Sequence, residues 1–105
     1  METLQTSKFI DITFDSEHRI MKLVWKPKTE DMNDKDFKRE MLNYVDRLDK
    51  KPRRILHQMQ EMKFIISPEL QEWVDENVNK PAIEAGVTKA AFLLSSDIFA
   101  RVSTE

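Results

Sequence analysis

The stretch Phe64-Ile65-Ile66-Ser67-Pro68-Glu69-Leu70 puts a serine hydroxyl and a carboxylate at the end of an apolar run, and Ser95, Ser96 and Asp97 follow a second such run. A hydroxyl in that position has two possible uses. As a helix N-cap it accepts a hydrogen bond from the second or third helical N–H, which accounts for Ser67 and for Ser96 or Asp97 without any further role. As an acceptor of a phosphate it would lie at the positive end of the helix dipole, although Glu69 and Asp97 would repel the added charge. Nucleophilic catalysis would also need a base beside the hydroxyl. The two histidines, His18 and His57, stand in no recognisable triad spacing with a serine or an acid. They form no HxH or HExxH pair, so the case for a metal is weak. The 19 acids include no pair in an apolar setting that would raise a carboxyl pKa. The sequence therefore offers no catalytic, cofactor-binding or metal-ligating residue. Its candidate interaction or phosphorylation loop is Ser67, Glu69, Ser95, Ser96 and Asp97, and the expectation is that the protein is not an enzyme.

Composition narrows the choice further. The chain has 105 residues, a length that fits one domain with one core over 1–105. Seventeen Lys and Arg against 19 Asp and Glu give a net charge of −2 with both signs interspersed, which argues against nucleic acid or an anionic membrane surface as a partner. Lys50, Lys51, Arg53 and Arg54 cluster around Pro52, and they read as cations at the negative end of a helix followed by a solvated connector. Cysteine is absent, which removes thiol chemistry and suits a reducing cytoplasm. The first residues carry neither the basic stretch nor the apolar run of a secretory signal, and no window is apolar enough for membrane insertion. The expected location is the cytoplasm. A single glycine, Gly86, excludes the phosphate-cradling glycine loops of nucleotide enzymes.

The elements that must position the serines can be read from periodicity. Residues 8–14 and 19–26 alternate apolar and polar residues around the turn Asp15-Ser16-Glu17-His18, which predicts a β-hairpin closed by Pro27. Asn33 is a good N-cap, with Asp36 placed for a capping box, and Phe37, Met41, Tyr44, Val45 and Leu48 make one apolar stripe of a helix ending near Lys50. Residues 54–60 read as a strand. Ser67 as N-cap and Pro68 as first residue open a second helix with Leu70, Trp73, Val74 and Val78 on its buried stripe. Asn79 can close that helix, Pro81 can open another turn, and Gly86 can supply a left-handed cap. The run Lys89-Ala90-Ala91-Phe92-Leu93-Leu94 predicts a strand buried on both faces, and a helix start follows Ser95, Ser96 and Asp97. The methionines, Trp25 and Trp73 read as core rather than cofactor contacts. If strands 54–60 and 89–94 are parallel neighbours, their carboxyl ends lie side by side. Ser67, Glu69, Ser95, Ser96 and Asp97 then share one rim.

The order ββαβαβ, together with ILHQMQEMKFIISPELQ at residues 55–71, resembles the STAS domain family, named for sulfate transporters and anti-sigma factor antagonists. The whole chain looks like the small bacterial STAS-like (SpoIIAA-like) proteins. The resemblance implies an α/β fold, ββαβαβ(α), with a mixed sheet and helices packed mainly on one face. In anti-sigma factor antagonists the corresponding loop reads Asp-Ser-Ser/Thr-Gly-Leu, and its first serine is phosphorylated by a partner kinase. Ser67 and Leu70 match that loop, while Ile66, Pro68 and Glu69 replace the aspartate, the second hydroxyl residue and the glycine. The family commonly continues past the last helix start. The expectation is therefore a covering element that is short, absent or supplied by a second subunit, and with it a homodimer.

These features point to a non-catalytic STAS-like regulatory module that acts through protein–protein contact, with a degenerate phospho-switch loop at Ser67 and a protein partner. The alternative is a domain that binds a small apolar or lipid ligand in a pocket between sheet and helices. It is suggested by the aromatic supply of Phe9, Trp25, Phe64, Phe92 and Phe99.

Overall fold

The computed structural model describes residues 1–94. They form an α/β fold on one five-stranded mixed sheet in which spatial order follows chain order. Strand β1 is Glu2–Thr6, β2 Ile10–Asp15 and β3 Ile20–Trp25. A 3-10 turn over Pro27–Asp31 leads to helix α1, Asp34–Asp46, and a second over Arg47–Lys50 leads to β4, Arg54–Met59. Helix α2, Pro68–Val74, runs without a break through a π turn, Asp75–Asn79, into α3, Lys80–Glu84, and β5 is Lys89–Leu94. β1, β2 and β3 are antiparallel neighbours, whereas β3, β4 and β5 are parallel.

Alternation sets which face of the sheet is covered. Ile10, Ile12 and Phe14 of β2, Met21, Leu23 and Trp25 of β3, and Ile55, His57 and Met59 of β4 are all buried on one face. The β3–α1–β4 and β4–α2–β5 crossovers step in the same direction across the sheet, so a common hand puts both helices on the same face. Phe37 of α1 accordingly stacks on Trp25 with ring centroids 5.7 Å apart, and Tyr44 meets His57 edge-on at 5.9 Å.

The predicted hairpin, α1 with its stripe, β4, the Ser67 cap and the parallel pairing of β4 with β5 are all present. Asn33 Oδ1 accepts from Asp36 N at 2.8 Å and Asn33 N donates to Asp36 Oδ2 at 3.2 Å, which is a complete capping box. The basic cluster is the expected connector, with Lys50, Lys51, Arg53 and Arg54 exposed around a buried Pro52.

Three features differ from expectation. Strand β1 has one apolar residue, Leu4, and a register shift between Thr3 and Gln5, so it carries no alternation to read; its backbone pairing with β2 makes it a strand. Asn79 does not end the second helix. Pro81 lacks an N–H and its ring would strike the carbonyl of Asn77 in a regular α-helix; the wider π turn, in which Lys80 N donates to Asp75 O, carries the chain past it. Strand β5 is exposed along its whole length rather than buried on both faces, because it is the last strand of the sheet among the described residues. A continuous apolar run needs cover on both faces to be buried, and its sequence looks the same with or without it.

Candidate functional site

The carboxyl ends of β4 and β5 make the rim that the sequence singled out. Met59 pairs with Leu94 in the parallel register, so both strands leave the sheet at the same end. From Met59 the chain enters a loop that is held at several points. Met62 is buried and its N–H donates to Met59 O at 3.2 Å. Lys63 N donates to Thr29 Oγ1 at 2.8 Å, and the Phe64 ring stacks on Phe37 at 5.3 Å. Thr29 is itself fully buried, and its hydroxyl donates to Lys26 O at 2.7 Å. These contacts fix the approach to Ser67.

Ser67 is half-buried in extended backbone and caps α2: its Oγ accepts from Leu70 N at 3.2 Å, and its carbonyl accepts from Gln71 N at 2.9 Å. Pro68 occupies the first helical position, where a missing N–H costs least. Glu69 lies exposed in the first turn, where its charge complements the helix dipole. Ser67 and Glu69 therefore stand together as expected. Ser95, Ser96 and Asp97 lie outside the described residues, as does Phe99.

Several large apolar residues of the loop and of β5 are exposed. Ile65 is 68% exposed, and on β5 Phe92 is 56% and Leu93 41% exposed, with Leu94 beside them. Register puts Phe92 and Leu94 on the helix-covered face of the sheet, opposite His57 and Met59, and Leu93 on the other face.

Beneath the rim lies a cleft of about 250 Å³ between sheet, α1 and α2. The sheet contributes Trp25, His57, Met59 and Phe92, and α1 contributes Phe37 and Met41. Ile66, Gln71 and Val74 close one side, and Asp75 and Asn79 of the π turn close another, with Asn79 Nδ2 donating to Asp75 Oδ1 at 2.8 Å. His57 stacks face to face on Phe92, with centroids 4.8 Å apart and planes within 7°. Burial alone lowers its pKa to about 4, so the imidazole is neutral near pH 7. Burial pushes the Tyr44 phenol up, well beyond its usual range.

One buried polar group escaped the sequence reading. Glu40 of α1 is 2% exposed and accepts from the Ser7 hydroxyl, from Gln5 Nε2 at 3.3 Å and from Asn43 Nδ2 at 3.3 Å. Ser7 Oγ in turn accepts from Phe9 N and Ile10 N, both at 3.1 Å. This network ties the turn between β1 and β2 to α1, and nothing local in the sequence marks it. The cleft did have a signal: in β4, His57 alternates in phase with Ile55 and Met59 and so had to face the core. His18, by contrast, is exposed in the hairpin turn, 2.9 Å from Asp15 Oδ2, whose carboxyl is held below its ordinary pKa by that hydrogen bond. Asp15, Glu17 and His18 bring three possible ligand atoms together. The same Asp15 carboxylate accepts from Glu17 N and His18 N, which is the pattern of a turn-stabilising side chain.

No family model matches the chain, and no curated protein or solved structure matches it significantly. Among the described residues no helix is long and apolar enough to cross a membrane.

Proposed function

We propose that the chain is a STAS-like, non-catalytic regulatory module that acts by protein–protein contact at the lip where β4 and β5 end. The observation that carries this reading is the exposed apolar residues there: Phe92, Leu93 and Leu94 on a strand whose outer backbone edge has no partner among the described residues, and Ile65 two residues before the Ser67 cap. Contiguous exposed apolar groups on a small protein mark contact sites, and an open edge adds unpaired N–H and C=O groups for an extended partner segment. The partner is a cytoplasmic protein, or a second copy of the chain. Ser67 acts as a cap in a degenerate form of the phosphorylated loop, since Pro68 removes an N–H and Glu69 adds negative charge where a phosphate would lie. The chemistry of the hydroxyls and imidazoles supports a non-catalytic role: Ser67 Oγ is engaged with Leu70 N, and His57 is neutral, stacked on Phe92 and met edge-on by Tyr44.

The test is affinity capture from the native host with a phosphosite map of the recovered chain, followed by direct binding of the purified partner. Ile65→Asp with Leu93→Lys should weaken that binding at least about tenfold by placing charge in an apolar contact, with the unfolding midpoint unchanged. Turnover of esters, phosphates or nucleotides by the purified protein, abolished in Ser67→Ala, would overturn the reading.

A second reading has its own observation. The cleft lined by Trp25, Phe37, Met41, His57 and Phe92 suits a small, mostly apolar ligand, and native mass spectrometry of protein purified from its host would show one reproducibly bound.

A further inference from the structure

The face of the sheet away from the helices carries a charge pattern that the fold itself does not use. On its antiparallel half, β2 presents Asp11, Thr13 and Asp15. Both acids there are engaged: Lys26 Nζ lies 2.9 Å from Asp11 Oδ1, and Asp15 is hydrogen-bonded to the His18 ring. The parallel half is different. Ile20 and Lys22 of β3, Arg54 and Leu56 of β4, and Lys89 and Ala91 of β5 share this face. Register sets Arg54 directly against Lys89 on the neighbouring strand, and Lys22 against Leu56. Like charges facing one another across strands repel. None of these three cations makes an ion pair among the described residues. Protection of a sheet edge accounts for a lysine on β5 but not for Arg54, because β4 is paired on both sides. A local conflict with no gain inside the fold points to a gain outside it.

Shape says what kind of element would cover this surface. Parallel sheets are ordinarily covered by helices on both faces, and among the described residues β3, β4 and β5 are covered on one. Ile20 and Leu56 are half-buried and Ala91 is exposed, and together with Arg54 and Lys89 they line a groove of about 640 Å³. Three adjacent strands span about 10 Å, which is the diameter of an α-helix with its side chains. The cations at the amino ends of β4 and β5 call for acidic side chains on that helix, and the apolar floor calls for an apolar stripe beside them. A nucleic acid or an anionic bilayer needs a wider positive field than three cations on a chain of net charge −2 supply.

We propose that this groove is a second contact site, away from the lip where β4 and β5 end, and that it takes an acidic amphipathic helix of a partner protein. The apolar stripe of that helix lies on Ile20, Leu56 and Ala91, and its carboxylates meet Lys22, Arg54 and Lys89. The site stands or falls independently of the contact at the lip.

The probes are synthetic helical peptides of about five turns. The first carries one leucine stripe flanked by glutamates, the second the same stripe flanked by lysines, and the third the leucines and glutamates of the first in an order without a stripe. Each is titrated into the full chain while the backbone amide resonances are followed by NMR. The first should shift the Leu56 and Ala91 amides saturably, and the other two should bind at least about tenfold more weakly. Arg54→Glu with Lys89→Glu should reverse the preference between the first and second peptides. The unfolding midpoint should stay close to that of the parent, because both side chains are exposed. Equal affinity for any two of the peptides that include the first, or an unchanged preference in the double variant, would overturn the proposal. Shifts confined to Ile65 and Leu93 would place the peptide at the lip and overturn it as well. Three other occupants have their own signatures, each of which would displace the acidic helix: binding to phosphatidylglycerol vesicles but not to the first peptide, Leu56 and Ala91 shifts that follow protein concentration alone, as for a second copy, and nuclear Overhauser contacts from Phe99 or Val102 to Leu56 in the isolated chain, as for residues 95–105.

Discussion

His57 and Ser67 both sit at functional-looking positions, and physical chemistry gives them opposite kinds of test. His57 has a folded-state pKa of about 4 against 6.5 for the free side chain. Protonation therefore favours the unfolded chain. The stabilisation is complete above pH 6.5 and is lost as pH falls from there toward 4, about 3 kcal/mol in all. Tyr44, the other titratable group packed on the ring, stays neutral throughout that window. Urea unfolding of His57→Phe at pH 7 and pH 4.5 should show a much smaller loss of stability on acidification than the native protein; an unchanged pH slope would refute the assignment. Ser67 is a cap whatever else it does. Ser67→Ala should lose about 1 kcal/mol, whereas Ser67→Asp, which caps as well and complements the dipole, should stay within a few tenths. Thermal unfolding of the two variants checks this, and equal losses would show that the Leu70 N contact contributes little. The cap was legible because Ser-Pro-Glu after an apolar run is a local signal. Glu40 was not, because its partners Ser7 and Gln5 come from the far end of the chain and only the fold brings them together.

At the scale of elements, local chemistry decided more than hydrophobic pattern did. Gly86 adopts φ 105°, and a Cβ built there would meet no atom within 4 Å. Gly86→Ala should therefore cost about 1–2 kcal/mol through backbone strain alone, with no steric clash to add to it. A denaturant midpoint close to that of the parent would mean that the turn before β5 relaxes to a negative φ. Gly86 was readable as a cap from sequence, and so were Asn33 and Ser67, since each is set by its immediate neighbours. The π turn was not: Asn79 and Pro81 suggest a break, and only the packing of Val78 and Ala82 on the core shows why the helix continues through them. Strand β1 escaped for the opposite reason, because an edge strand held by backbone pairing needs no apolar rhythm.

At the scale of the whole fold, the decisive asymmetry among the described residues is between the helix-covered side of the sheet and its other side. The alternating residues of β2, β3 and β4 announced a one-sided core, and the helices cover that side. The apolar run of β5 announced burial instead, and its exposure is the largest departure from the sequence reading. That departure has a measurable consequence in how stability is distributed. Opening costs least where few apolar contacts hold a segment and where one side of its backbone lacks a partner. β4 is hydrogen-bonded on both sides, by β3 and β5, whereas β5 is bonded by β4 alone among the described residues. Native-state hydrogen exchange at low micromolar protein should find the β4 amides slowest, with those of β5 exchanging at least about tenfold faster. Raising the concentration to about a millimolar should slow β5 selectively if a second copy occupies the lip, and should leave it unchanged if the partner is a different protein. Protection of β5 equal to that of β4 in the dilute protein would mean that the edge is already covered, and the contact surface proposed for it would not be available to any partner.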